Sequence, residues 1–352
     1  MNLLRSTGAV IAFLLALFAL LIGVSATMPS VGGVTFVCSV LLPTLAMPMI
    51  IILLILLAVS LSVQFVATTI IAILALPFPL VSIGGQLVGA HRAGVALNLA
   101  SAALPGSMKA PHQTIHGMDV YGKTDGSRPI IFNVHGGGWK EDAQMQATLQ
   151  KLANAGWVVV RPSYPLSTPT DHTYESAPQA VRKAYETVAQ HPQDFGGDTS
   201  RISVFGDSAG GGLGINLAYQ LAADPQDLPV PKAVVALYPT VNLEAVEGVK
   251  ALAAGQAADQ FIGGGPYEYP ERYKNLNSAT WITPQAPPTL IIQGSADTFV
   301  PPPSVRNFVK QAPRAEYVSV PYANHAFDSQ ASRSPGFQIV TKATVNYLRD
   351  RA

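Results

Sequence analysis

Charge is what this sequence lacks first. Between Arg5 and Arg92 there is no Asp, Glu, Lys or Arg. Residues 6–91 are formally uncharged apart from protonation of His91, and every charged residue except Arg5 lies in 92–352. A chain soluble along its whole length does not distribute charge this way. A signal peptide alone is also excluded, because it ends in polar mature sequence after one apolar core. Cysteine is nearly absent: Cys38 stands alone, which rules out an intramolecular disulfide and a thiolate metal cluster. Net charge is only +1 and no basic stripe is present, so nucleic acid is not an expected partner. Internal repeats are missing as well.

What is present before Arg92 is length and apolarity. At about 20 residues per crossing, the uncharged stretch holds three transmembrane runs, at 9–26, 34–59 and 62–83. They are separated by "TMPSVGG" and the weakly polar "SLSVQ". Pro43 and Pro48 would kink the second run, which membrane helices tolerate. The expected organisation is a membrane region at 1–84, a connector at 85–112 and a large domain at 113–352. Within the connector, "AHRAGVALNLASAAL" reads as one amphipathic helix ending at Pro105. Arg5 ahead of the first run favours a cytoplasmic start, and three crossings then put the large domain outside. Arg92 and Lys109 pull the other way, so the side stays open with the outside favoured.

From about residue 113 strand and helix patterns alternate. "QTIHGMDVYG", "PIIFNVHG", "WVVVRPSYP", "RISVFG", "PKAVVALYP", "PPTLIIQG" and "EYVSVP" read as strands. "EDAQMQATLQKLANAG", "TYESAPQAVRKAYETVAQH", the run after Ser208 and "GFQIVTKATVNYLRDR" read as helices. The alternation predicts an α/β fold, a mostly parallel sheet covered by helices on both faces. Residues 241–281 interrupt it and read as an insertion over the carboxyl edge of the sheet, where such folds bind ligands.

Gly206-Asp207-Ser208-Ala209-Gly210 fits G-x-S-x-G between a strand and a helix. A sharp turn there lifts the serine above the sheet, and its neighbours must be small. A phosphate-binding turn would want a lysine, and none is present; Asp207 would repel phosphate. A plain tight turn is the bland alternative. A serine hydroxyl needs a base, and the only histidine after Ser208 is His325, in "PYANHAFDS". Asp297 directly follows the strand "TLIIQG" and is the candidate to orient that histidine, though it could simply cap a turn. Glu268 and Glu271 read as insertion surface. Acyl transfer also needs backbone donors for an oxyanion. His135-Gly136-Gly137-Gly138 follows an apolar strand and supplies them: the N–H groups of Gly137, Gly138 and Ala209 are the candidates, with His135 propping the loop.

"HGGGW", "GDSAGG", "PPTLIIQGSADTFVP" and "ANHAF" stand in the order and spacing of the α/β-hydrolase family, and the chain resembles its hormone-sensitive-lipase-like carboxylesterase branch over about 113–350. The resemblance implies an α/β-hydrolase fold and a serine carboxylic-ester hydrolase. Ser208, Asp297 and His325 would form its triad, with Gly206 and Gly210 shaping the turn, and no cofactor. Two departures put the substrate in doubt. "YPLSTPT" stands where the family often has a "YRLAPE"-like stretch, and apolar runs replace its amino-terminal cap. The implied partner is a small-molecule or lipid ester at a membrane. Transfer to a lipid or sugar acceptor, deacetylation of such a molecule, amide hydrolysis and a non-catalytic module remain alternatives. His112 and His116 straddle an expected strand start and do not read as a metal site. Trp139, Tyr164, Phe261, Tyr267 and Tyr269 either line an acyl pocket or merely pack.

Overall fold

The computed structural model describes residues 2–28, 32–103, 109–143, 146–249, 254–329 and 331–351. The chain divides into two compact units: Met1–Gly106 with Val320–Ile339, and Ser107–Ser319 with Val340–Ala352.

The first unit holds α1 (Asn2–Thr27), α2 (Gly33–Ser62), α3 (Val66–Ala75), α4 (Pro77–Arg92) and the short α5 (Leu99–Ala102). Among the described residues three stretches are long and apolar enough to cross a membrane: Thr7–Thr27, Gly33–Ser62 and Val66–Arg92. The third runs further than the expected 62–83, because α3 and α4 meet at Leu76 with no polar break. The bundle buries a strip of small and branched residues, among them Ala16, Ala19, Leu53, Ala72 and Ala75. Leu14, Phe18, Ile55, Ile70 and Leu74 stay exposed on the opposite faces. The helices are thus apolar on their exposed faces as well as on their buried ones. Pro43 and Pro48 lie inside α2. The expected single connector helix is divided in two. Gly94 turns left-handed at φ +65° and ends α4, and the Asn98 side chain then accepts from Ser101 N–H to start α5.

The second unit is built on an eight-stranded sheet. Its elements in chain order are β1 (His112–Ile115), β2 (Met118–Tyr121), β3 (Arg128–Val134), α6 (Ala147–Asn154), β4 (Val158–Arg161), α7 (Ser176–Gln190), β5 (Gly197–Asp207) and α8 (Ser208–Ala223). There follow β6 (Val234–Leu237), α9 (Leu243–Glu247), α10 (Ala254–Ile262), α11 (Pro270–Leu276), β7 (Thr289–Gly294), α12 (Pro302–Gln311), β8 (Ala315–Val320) and α13 (Pro335–Arg349). The strand order is β1-β2-β4-β3-β5-β6-β7-β8. β4, β3, β5, β6 and β7 run parallel, while β1 and β2 form an antiparallel hairpin at the edge. The single strand expected at 113–122 is therefore two, turned by His116 and Gly117, which both take positive φ. α6 begins later than expected; Gln144 and Met145, in the expected helix, lie outside the described residues. The interruption at 241–281 holds α9, α10, α11 and a 3-10 turn at Ser278–Trp281.

Central strands covered by helices are apolar on both sides. β4 and β6 are buried at every position, and α7 contributes Val181, Tyr185 and Val188 from one face. Phe132 of β3 meets Tyr185 edge-on, with ring centroids 5.2 Å apart and planes at 84°. Phe132→Ala removes that ring from a site with no solvent access. It is expected to cost about 3–5 kcal/mol, read as a lower melting temperature of the full-length protein in detergent.

Candidate active site

The sheet register brings the candidate residues of the second unit to one edge. Val134 pairs with Gly206, Asp207 with Leu237, and Leu237 with Ile292. Because these strands are parallel, the loops leaving β3, β5, β6 and β7 all emerge on that side.

Ser208 is the first residue of α8 and takes φ +51°, a left-handed conformation that side chains other than glycine seldom adopt. Such a residue stores about 1–3 kcal/mol and persists only where its surroundings enforce it. Here they do so through missing side chains. A Cβ on Gly206 would overlap the Gly210 carbonyl, and one on Gly210 would overlap the carbonyls of Val134 and His135. A Cβ on Gly211 would lie 2.8 Å from Pro239 Cβ. The Thr240 N–H donates to the Ser208 carbonyl at 3.1 Å, fixing the turn from the β6 side. Ala209 is fully buried in the first turn of α8. First-turn N–H groups have no intrahelical acceptor, and the helix dipole favours negative charge beside them.

The glycine loop after β3 needs positive φ at Gly137 (+114°) and Gly138 (+59°), and Trp139 follows at +59°. Lys140 and Glu141 N–H both donate to the Gly137 carbonyl, at 3.0 and 3.2 Å, closing the loop on itself. Gly136 N–H donates to Asp207 Oδ1 at 3.2 Å. The residue beside the serine thus ties the glycine loop to the serine turn. Nothing in the sequence assigned Asp207 that task; its only visible signal was a carboxylate at the variable position of G-x-S-x-G.

His135 opens the glycine loop. Its ring stacks on Tyr164 with centroids 4.2 Å apart, and Nδ1–H donates to the Gly136 carbonyl at 2.7 Å. Tyr164 O–H donates to the His135 carbonyl at 2.8 Å. Tyr164 therefore holds the loop rather than lining a pocket. Burial, and secondarily the Asp207 charge, pushes its hydroxyl far above the ordinary tyrosine value. Burial also pushes His135 below its ordinary value, against smaller opposing effects of the Gly136 hydrogen bond and Asp142.

Asp297 sits just beyond β7 and is 5% exposed. Its Oδ1 accepts from the N–H groups of Phe299 and Val300 at 3.0 and 2.9 Å, and its Oδ2 accepts from Gln293 Nε2 at 3.3 Å. It is both a turn cap and a carboxylate of fixed orientation. His325 lies in the loop after β8, in the other compact unit, and is 6% exposed. It is not the solvated surface histidine that a loop position would suggest.

Beside Ala209 lies a small cavity. Trp139, Leu213 and Phe261 form part of its wall, with Asn216 and Thr240 as its polar members. Trp139 and Phe261 stack in parallel, 4.6 Å between centroids. Phe261 comes from α10, within the 241–281 interruption. Tyr267 is fully exposed and Tyr269 lies under the Arg272 guanidinium at 3.9 Å, so neither lines this cavity. Among the described residues no group of His, Cys, Asp or Glu is arranged to hold a metal. His112 and His116 pair instead with Asp119 and Asp194.

A family model described as BD-FAE matches residues 118–311, more than half of the chain. The chain belongs to the BD-FAE family. The esterase LipC of Mycobacterium tuberculosis is 29% identical over 225 residues, covering 57% of this chain and 53% of LipC. The chain spans about half the length of the curated relatives it matches. An esterase from the bacterial hormone-sensitive lipase family superposes with a TM-score of 0.56 at 19% identity, over 76% of this chain and 96% of that one. Thermogutta terrifontis esterase 2, described as phosphonylated by sarin, superposes at 0.54 and 19% identity, over 70% and 96%. With the strand order above, these neighbours make this an α/β-hydrolase fold.

The His135 environment makes stability pH-dependent. Its folded-state value lies below the unfolded value of 6.5, so the unfolded chain takes up the proton first as pH falls. This contribution is complete above pH 6.5 and is lost as pH drops below it toward the folded value. The melting temperature of the wild type should therefore fall toward that of His135→Gln as pH is lowered through this window, and the gap between them should be widest above it.

Proposed function

We propose that this protein is a membrane-anchored serine esterase that hydrolyses carboxylic esters through an acyl-enzyme. The observation that carries the reading is Ser208, a non-glycine residue held at φ +51° between β5 and α8, directly beside the glycine loop. That conformation is costly and is kept where a serine follows a strand and opens a helix, which supports a role for its hydroxyl.

In the proposed reaction His325 removes the Ser208 proton as Oγ attacks the ester carbonyl. The N–H groups of Gly137, Gly138 and Ala209 receive the oxyanion. Asp297 orients the imidazole and stabilises its cation, as its fixed carboxylate and its place between Ser208 and His325 in the chain support. The imidazolium then protonates the departing alcohol. Water, deprotonated by the same histidine, attacks the acyl-enzyme and releases the acid. The acyl group would occupy the cavity beside Ala209, whose small size and aromatic wall favour a short chain. The three long apolar helices support an anchor in a membrane.

Ser208→Ala in the full-length protein is expected to lower kcat on p-nitrophenyl acetate by at least about 10⁴-fold, and Asp297→Asn by about 10²–10⁴-fold. Ser208→Ala should also abolish labelling by a fluorophosphonate. Undiminished turnover in the Ser208 variant would sink the assignment. Phe261→Ala opens the cavity wall and should raise kcat/KM for p-nitrophenyl octanoate relative to the acetate by about 10-fold. An unchanged ratio would place the acyl chain elsewhere.

A further inference from the structure

The loop that carries His325 has an unusual foundation. Two residues that bracket the histidine, Tyr322 and Ala326, are left-handed at φ +60° and +55°. Neither is glycine, so the loop's shape is not one its own backbone prefers. Something must impose it, and within this compact unit the visible contacts lead to the apolar helices.

Asn324, directly before the histidine, has no solvent exposure. Its Nδ2–H donates to Ser39 Oγ of α2 at 2.6 Å. Its Oδ1 accepts the His325 backbone N–H at 2.7 Å. The Ser39 hydroxyl donates in turn to the Phe36 carbonyl at 2.7 Å. Donors and acceptors match without a break, from the backbone of α2 through two side chains to the amide of His325. Ser39 is buried among apolar side chains, where a lost partner is not replaced by water.

A second contact comes from α4. A Cβ on Gly85 would overlap the Tyr322 ring, so α4 and the loop touch where only glycine fits. α4 is also fastened to α2: Gln86 Nε2 donates to the Pro43 carbonyl at 3.0 Å, one turn along from Ser39. Further on, Gln338 accepts the Asn98 N–H at 2.7 Å and donates back to the Asn98 carbonyl at 3.0 Å, closing the far end of the same segment onto the stretch after α4.

We infer that Ser39 and Asn324 are positioning residues for His325: the apolar helices hold the base of the catalytic site in place, and are a working part of the enzyme as well as an anchor. This rests on His325 being the base. Proton transfer in the transition state needs the imidazole within hydrogen-bond reach of Ser208 Oγ. A loop that loses its tie to α2 would fail in chemistry before it fails in substrate binding.

The test uses the full-length protein in lipid nanodiscs, with kcat normalised to the serine that a fluorophosphonate finally labels. Ser39→Ala should lower kcat by about 10–100-fold, leave KM within about 2-fold, and slow fluorophosphonate labelling in step with kcat. Ser39→Thr, which keeps the hydroxyl, should restore both. Asn324→Ala should match or exceed the Ser39→Ala loss. The inference is overturned if Ser39→Ala keeps wild-type kcat and labelling rate, or if Ser39→Thr is as impaired as Ser39→Ala. It is equally overturned if the loss disappears after normalisation, which would mean a fold-stability role only. His325→Ala separates the two readings. Wild-type turnover there removes the base assignment itself; an inactive His325→Ala beside an unaffected Ser39→Ala removes only the role of the helices.

Discussion

Everything at the sheet edge depends on how closely the amino end of α8 approaches the carbonyl ends of β3 and β5. Backbone meets backbone there: Gly210 against Val134 and His135, Gly206 against Gly210. No side chain larger than hydrogen fits at either glycine. The approach forces Ser208 into a left-handed conformation, places Ala209 in a dry first helical turn, and leaves the Gly136 N–H within reach of the Asp207 carboxylate. A single close packing therefore sets the serine, its neighbouring donor and the position of the glycine loop. Loosening it at any point would be felt at all three, because buried interiors transmit strain rather than absorb it.

Much of this edge was readable from the order of residues. G-x-S-x-G and H-G-G-G are patterns whose small residues have local backbone reasons, so a linear reading finds them. Asp297 was a candidate because it directly follows a strand, and strands of a parallel sheet share one edge. His325, which lies in the other compact unit, was a candidate because it is the only histidine after Ser208. The links between these pieces were not. Asp207 looked like an argument against phosphate, yet it accepts the Gly136 N–H from 71 residues away. Tyr164 read as either a pocket aromatic or mere packing, and its hydroxyl donates to the His135 carbonyl. Asn324 stood inside "ANHAF" without a role of its own, since its partner Ser39 is a weakly polar residue inside an apolar run. Hydrogen bonds between distant segments leave no periodicity or spacing behind. Boundaries failed for local reasons: Gly94 divided the connector helix, and the His116–Gly117 turn divided the first strand.

The aromatic residues split by role along similar lines. Trp139 and Phe261 meet face to face beside Ala209 because one leaves the glycine loop and the other arrives on α10 from the 241–281 segment. That segment shapes the cavity although none of the proposed catalytic residues belongs to it. Substrate range can thus change there without disturbing the turn at Ser208, in keeping with a fold that hosts many activities on one scaffold.

The bond between Asn324 and Ser39 spans 285 positions in the chain. A ribosome makes α2 long before it reaches Asn324. In between, the chain holds its apolar helices and its central strands but not the loop that joins histidine to helix. Domains form from the amino end as they emerge, and contacts of long sequence separation form slowly. The loop that carries His325 would thus take its shape only after α2 and the central strands are already made.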